Sequence, residues 1–148
     1  MSTIIRKYNK LDQLKLIELI RQNTPEFFAP SEESDLISYL NEGVEDYFII
    51  EKDDEIIGCG GINYEKAKST GIISWDIISS KHQGLGIGSK LLKYRLNELE
   101  KNNEINKVIV RTSQYAYPFY EKHGFELGYI KKDHWGKGFD LYYMELKA

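Results

Sequence analysis

The sequence predicts an α+β fold: a mixed, mostly antiparallel central sheet flanked by helices on both faces, in the order β-α-α-β-β-β-α-β-α-β-β. Three observations carry this expectation. Stretches with apolar residues at every second position alternate with stretches at three-to-four spacing, which separates strands from helices. Three strand patterns in mid-chain follow one another with only short breaks between them, whereas the last third interleaves strands and helices. The chain has 148 residues, 41% hydrophobic and 29% charged, enough for one domain with its own core and no second.

Taken in order, Thr3 to Tyr8 read as a short strand, and Asn9 offers an N-cap to a helix with Leu11, Leu14, Ile17 and Ile20 at helical spacing. After Pro25 and Pro30, Ser31 can cap a second helix. Its first turn carries Glu32 and Glu33, Leu36, Ile37 and Leu40 face inward, and Gly43 ends it. Tyr47 to Glu51, the turn Lys52-Asp53-Asp54-Glu55, and Ile56 to Tyr64 form a hairpin by turn chemistry, with a further strand at Ile72 to Ile78. A glycine-rich loop then opens a helix with Leu91, Leu92, Leu96 and Leu99 on one side. Val108-Ile109-Val110 is a short buried strand. Ser113 is a candidate cap for a helix running through Tyr120 and stopped by Gly124, before strands at Phe125 to Ile130 and Phe139 to Leu146. Pro118 within that helix implies a bend or a late start.

Composition excludes several function classes. The chain is not disordered, carries no apolar run of the roughly 20 residues a membrane helix needs, and begins without a cleavable apolar leader. Cys59 is the lone cysteine, so neither a disulfide nor a Cys-rich metal site is expected, and three scattered histidines lack ligand spacing. A cytoplasmic location follows as the default. The net charge of −3 excludes a broadly basic nucleic-acid binder, but the charge is uneven: Glu26 to Glu55 holds eleven acidic residues and one base. That run reads either as solvated surface or as an acidic rim.

Gln83-Gly84-Leu85-Gly86-Ile87-Gly88 brings three alternating glycines to the start of a helix. Such a loop lets the backbone approach a bulky anion while its N–H groups and the positive helix end point at it. The alternative is a tight turn that binds nothing. The spacing is neither the GxGxxG of a dinucleotide fold nor the GxxxxGK[ST] of a P-loop.

The pattern Gln83-x-x-Gly86-x-Gly88 after a strand, with Ser113-x-x-Ala116-x-x-Phe119-Tyr120-Glu121-Lys122-x-Gly124-Phe125 about thirty residues later, resembles the GNAT superfamily of acyl-CoA-dependent N-acetyltransferases. The resemblance implies one N-acetyltransferase domain over residues 1–148, with acetyl-CoA as co-substrate and no metal. It places the coenzyme's pyrophosphate on the amides of Gln83, Gly84, Leu85, Gly86, Ile87, Gly88 and Ser89, and its pantetheine arm along Ile77, Ile78 and Ser79. There the strand would splay from the one at Val108 and leave main-chain groups free, in the manner of β-augmentation. Ser113 stands where the family commonly has asparagine and Ser80 where proline is common; a serine at 113 can still cap a helix or donate a hydrogen bond.

Tyr120 matches the family tyrosine that protonates the departing thiolate, and the N–H of Asp76 matches the donor to the acetyl carbonyl. The Asp76 carboxylate is the first candidate for the base that frees the amine, or else a structural carboxylate. On strict alternation it shares a face with Ser74 and Ile78, and Glu45, Asp46 and His134 are weaker candidates. The acidic run would concentrate a cationic amine, while Lys81, Lys90, Lys93 and Arg95 suit the coenzyme's phosphates. Trp135, in the turn Asp133 to Gly138, reads equally as a pocket cover, a cation-facing ring, a homodimer contact or packing. The expected reaction is direct acetyl transfer to a primary amine of a small cationic molecule. The alternatives are a protein amine, or a non-catalytic acyl-CoA-binding module on the same fold.

Overall fold

A computed structural model describes residues 2–147, and seven strands pair in one sheet of order β1-β2-β3-β4-β5-β7-β6. These are β1 (Thr3–Lys7), β2 (Asp46–Lys52), β3 (Glu55–Glu65), β4 (Thr70–Ile78), β5 (Lys107–Thr112), β6 (Phe125–Gly136) and β7 (Phe139–Leu146). Only β4 and β5 run parallel; every other neighbour is antiparallel. The mixed, mostly antiparallel sheet read from the sequence is therefore the one found. The helices α1 (Gln13–Gln22) and α2 (Glu32–Ser38) cover one face, and α3 (Ile87–Glu100) and α4 (Tyr117–Lys122) the other. Among the described residues no helix is long and apolar enough to cross a membrane.

The two faces have separate cores, and alternation along β2 shows how one strand serves both. Phe48 and Ile50 pack with Leu91, Leu92 and Met144, whereas Tyr47 and Ile49 pack with Leu16, Ile20 and Leu36. The first helix departs from its expected phase. Asn9 caps a 3-10 turn at Lys10–Asp12 rather than α1 itself, so Leu16, Ile17, Leu19 and Ile20 turn inward and Leu11 and Leu14 are left in solvent. Ser31 makes no capping bond to α2; its hydroxyl instead reaches the carbonyl of Trp135 at 3.4 Å. Pro118 sits in the first turn of α4, where its missing N–H is an orphan anyway, so the helix starts late and does not bend.

Two irregularities shape the centre of the sheet. The first lies between β3 and β4, whose register shifts between Cys59 and Gly61, with Trp75 at φ +50°. This β-bulge resets the alternation: Ile73 belongs to the core under α3, yet Ile77, four residues on, belongs to the core under α1. The second lies between β4 and β5. Their ladder runs only from Thr70↔Lys107 to Ile73↔Val110, although both strands continue. Residues 74–78 of β4 therefore have no partner in β5, and the sheet opens into a cleft.

Candidate active site

The cleft occupies about 620 Å³ between the unpaired ends of β4 and β5, floored by α3 and α4. At one end lies the glycine loop. Gly84 and Gly86 adopt φ of +78° and +79°, in the left-handed region where side chains are strained, and no atom stands where a Cβ would go. The main-chain N–H groups of residues 84–89 donate to no backbone carbonyl among the described residues, so a row of donors is available at the start of α3. Gly88 is needed for a different reason: a Cβ there would meet the Phe119 ring at 3.3 Å, so it sets the approach of α3 to α4. An open loop of free donors beside an unpaired strand edge fits a long ligand with an anionic end.

The loop is tied down from below. Gln83 Nε2 donates to Asn23 Oδ1 at 2.7 Å, and Asn23 Nδ2 donates to the carbonyls of Leu19 and Ile78. The Gln83 side chain thus positions the loop, while its main chain faces the cleft end. Ser89 Oγ meets His123 Nε2 at 2.8 Å, and His123 Nδ1 faces the Phe119 carbonyl at 2.8 Å. A nitrogen facing a carbonyl must donate, so Nδ1 carries a proton, and the serine hydroxyl bonded to Nε2 links α3 and α4.

At the middle of the cleft Tyr120 donates to Asp76 Oδ2 at 2.6 Å, and Arg95 Nη1 donates to Asp76 Oδ1 at 2.5 Å. Because of the bulge, Asp76 faces α3 and α4 together with Ile78. Ser74, which alternation would have put beside it, lies on the other face near Tyr39. Burial pushes the Tyr120 hydroxyl well above its ordinary pKa and the Asp76 charge pushes it further, against the opposing effect of Arg95. Burial would lower Arg95, but the Asp76 charge and hydrogen bond outweigh it and the guanidinium is held cationic. Arg95 is fully buried; it also donates to the carbonyls of Gly61 and Leu91, and its Nη2 finds no partner. It therefore cannot meet coenzyme phosphates as its place among the basic residues implied. Gly60 and Gly61 give the room: a Cβ on Gly60 would strike Asp76 Oδ1 and stand 2.8 Å from Arg95 Nη1.

Of the other expected site residues, Ile77, Ile78, Ile87 and Ser113 line the cleft, Ile77 offering only its main chain because its side chain fills the core under α1. The Ser113 hydroxyl accepts from the N–H of Tyr115, and the N-cap position of α4 is held by Ala116, which makes no side-chain capping bond. Ser79 and Leu85 stand outside the cleft, the first turned onto His82 and Lys81, the second exposed. Glu45, Asp46 and His134 also lie outside it: Glu45 accepts from Asn63 and Tyr64, and Asp46 from the Tyr64 hydroxyl. Cys59 is buried, and burial raises its thiol to about 12, too high for a nucleophile at neutral pH. Among the described residues no group of three His, Cys, Asp or Glu side chains could hold a metal.

The far end of the cleft is bridged. Before α2, Ser31 reaches the Trp135 carbonyl at the end of β6 and Ala29 lies so close to Gly136 that a Cβ there would meet it at 2.8 Å, while the Trp135 indole donates to the Thr112 carbonyl at 3.0 Å. Phe28 stacks on Trp75 at 6.4 Å between ring centroids, and both face the cleft. Of the eleven acidic residues in the 26–55 run, Glu32 alone lines it. Several of the rest are spent elsewhere, Glu33 on Arg21 and Glu51 on Arg6, so the run as a whole does not line the cleft. Glu32 escaped the sequence reading because nothing at the first turn of a helix marks an acid as buried. Arg95 left a clue, standing in the stripe of Leu91 and Leu99 at a spacing where only apolar residues are expected.

A family model described as an acetyltransferase (GNAT) domain matches residues 17–148. Among solved structures, a GNAT-family protein from Desulfovibrio desulfuricans superposes with a TM-score of 0.80 at 19% identity, over 99% of each chain. The ribosomal-protein-S18-alanine N-acetyltransferase of Escherichia coli gives 0.80 at 16%, over 98% of this chain and 93% of that one. An aminoglycoside 6'-N-acetyltransferase complexed with coenzyme A gives 0.74 at 16%, over 96% and 95%. No curated protein is detectably similar in sequence.

Proposed function

This chain belongs to the acetyltransferase (GNAT) family, and from that premise we propose that it transfers the acetyl group of acetyl-CoA directly to the primary amine of a small cationic molecule. The donor follows from the family. The glycine loop supplies amides for the pyrophosphate, and the unpaired edge of β4 at Ile77 and Ile78 supplies main-chain groups for the pantetheine arm.

The observation that carries the catalytic reading is the hydrogen bond from Tyr120 to Asp76, in the same cleft as the loop. The amine nitrogen attacks the thioester carbonyl carbon, and the carbonyl oxygen takes the developing negative charge, for which the Asp76 N–H is the donor. As the C–S bond breaks, Tyr120 gives its proton to sulfur and recovers one from the nitrogen, which is surplus once the C–N bond has formed. Asp76, already accepting from the hydroxyl, holds that proton when the two transfers are not simultaneous. The raised pKa keeps Tyr120 protonated at neutral pH, as a donor must be. The contacts of Ala29 and Ser31 with the β6 hairpin narrow the far end of the cleft, which supports a small acceptor over a protein terminus.

Thermal unfolding with acetyl-CoA, CoA and NAD in parallel tests the donor, since a ligand at 100 times its Kd adds about 2.7 kcal/mol. Both CoA species should raise Tm and NAD should not; no shift with either would overturn the reading. Thiol release over a panel of amines then tests transfer.

A further inference from the structure

We propose that the outer edge of β6 is an interface between two copies of this chain. The two β6 strands pair antiparallel in the register that sets Glu126 against Lys131 and Leu127 against Ile130. This goes beyond the acetyltransferase reading and stands whether or not that reading holds.

β6 ends the sheet, so among the described residues no strand meets its outer edge. It is also the longest strand, with 12 residues, and every one from Glu126 to His134 is exposed. Leu127, Tyr129 and Ile130 are 41%, 46% and 47% exposed, which puts three large apolar side chains within four residues. A long apolar edge is a template for another strand unless charge or cover protects it. The opposite edge is protected: β1 has only 5 residues and carries Arg6 and Lys7 with no acid, so two copies of it would set cations against no anion.

The charges on β6 select one register. Directly paired residues share a face, so β7 fixes the face of each β6 side chain. Leu127 and Ile130 pair with Met144 and Tyr142, on the face under α3 and α4, whereas Glu126, Tyr129 and Lys131 pair with Glu145, Tyr143 and Leu141 on the other. The bulge between Leu127 and Tyr129 is what brings Leu127 and Ile130 to one side. A two-fold axis between Gly128 and Tyr129 then sets Leu127 against Ile130 on one face and Glu126 against Lys131 on the other, each contact occurring twice. A slip of one residue sets Leu127 against Tyr129 or Lys131, whose side chains point the other way. Both charges are free to engage: Lys131 makes no ion pair among the described residues, and Glu126 has only an exposed contact with Lys147 at 3.5 Å, of the kind worth little in water. The same register brings Lys132 of the second copy opposite Phe125. There a groove of about 330 Å³ is lined by Glu121, Gly124, Phe125, Glu126, Leu127 and Lys147, two acids to one base, and Lys132 evens that balance.

Sedimentation equilibrium of the full chain tests this through charge. At micromolar concentration the parent should weigh twice 17.3 kDa. Glu126→Lys and Lys131→Glu each turn both attractive contacts into repulsive ones, and each should raise the dimer Kd at least tenfold. Both positions are exposed, so the variants should keep the parent's circular dichroism. Mixed in equal amounts, the two single variants should associate as the parent does, since one then presents only cations at these positions and the other only anions. The double variant Glu126→Lys/Lys131→Glu should dimerise by itself, because it exchanges the two charges within the same register. Glu55→Lys, at the exposed turn between β2 and β3, should match the parent. A parent that weighs 17.3 kDa at every concentration, single variants that dimerise as tightly as the parent, or a mixture and a double variant that stay monomeric would each overturn the proposal.

Discussion

Tyr120 can be asked to give up a proton only if the fold keeps one on it, and its neighbours do so by two means. Burial disfavours the phenolate, and the Asp76 carboxylate 2.6 Å away repels the charge that ionisation would create. Replacing it with phenylalanine keeps the ring among Phe119 and Phe125 and removes only the hydroxyl. Tyr120→Phe should thus lower kcat by about 10²–10⁴ and leave the Kd for CoA within twofold, by thiol release and calorimetry; unchanged kcat would remove Tyr120 from the chemistry.

Glu32 makes a separate prediction through pH. Burial raises its carboxyl from 4.5 to about 7, against the Ala29 N–H and with help from Asp35 on its own helix. Of the cleft's cations, Arg95 is neutralised by Asp76, and Arg111 and Lys122 make no ion pair with Glu32. Between those two values the folded chain holds a proton that the unfolded chain has released, so stability falls as pH rises from 4.5 to 7. This group contributes to that fall within the window and to no further change above or below it. Glu32→Gln keeps an acceptor for Ala29 and removes the charge. Its denaturant midpoint at pH 8 should exceed the parent's, and the two should converge near pH 4.5; parallel profiles would show that Glu32 is not the titrating group.

At the scale of elements, β4 does the most with one irregularity. The bulge at Trp75 turns Asp76 toward α3 and α4 and leaves Gly60 opposite, where the space of a missing Cβ is taken by Asp76 and Arg95. Gly60→Ala should force the pair apart and cost about 3 kcal/mol, with a larger loss of activity than Gly43→Ala, whose new Cβ would meet only the Tyr39 ring; equal effects on activity would mean that the pair does not support the site. The bulge was also the least legible feature. Nothing in Ser74-Trp75-Asp76 announces a positive φ, so period-two reasoning placed Asp76 beside Ser74; the adjacent glycines 58, 60 and 61 in β3 were the trace it left. Element order, the glycine loop and the late start at Pro118 were readable because each depends on local chemistry. The phase of α1 was not, because one 3-10 turn after Asn9 rotated Leu11 and Leu14 into water. A buried charge such as Arg95 escapes sequence for the same reason: its partner, Asp76, comes from a different element.

For the whole molecule, the consequence is a sheet joined across its middle by only four residue pairs, Thr70↔Lys107 to Ile73↔Val110. On one side lies β1 to β4, on the other β5 to β7, with α3 and α4 spanning the opening from below. A donor filling the cleft would replace the missing ladder with its own amides, so its binding should stiffen the parts that face the gap more than the rest. Amide hydrogen exchange with and without CoA reads this directly. Residues 74–78 of β4, the loop at 83–89 and the end of β5 at 111–112 should gain protection. The β1–β2 ladder, continuous over Thr3↔Lys52 to Lys7↔Phe48 and remote from the cleft, should change little beyond the global gain in stability. Protection spread evenly over all seven strands would place CoA elsewhere or make the gap rigid before it binds, and either result would detach the opening of the sheet from its use.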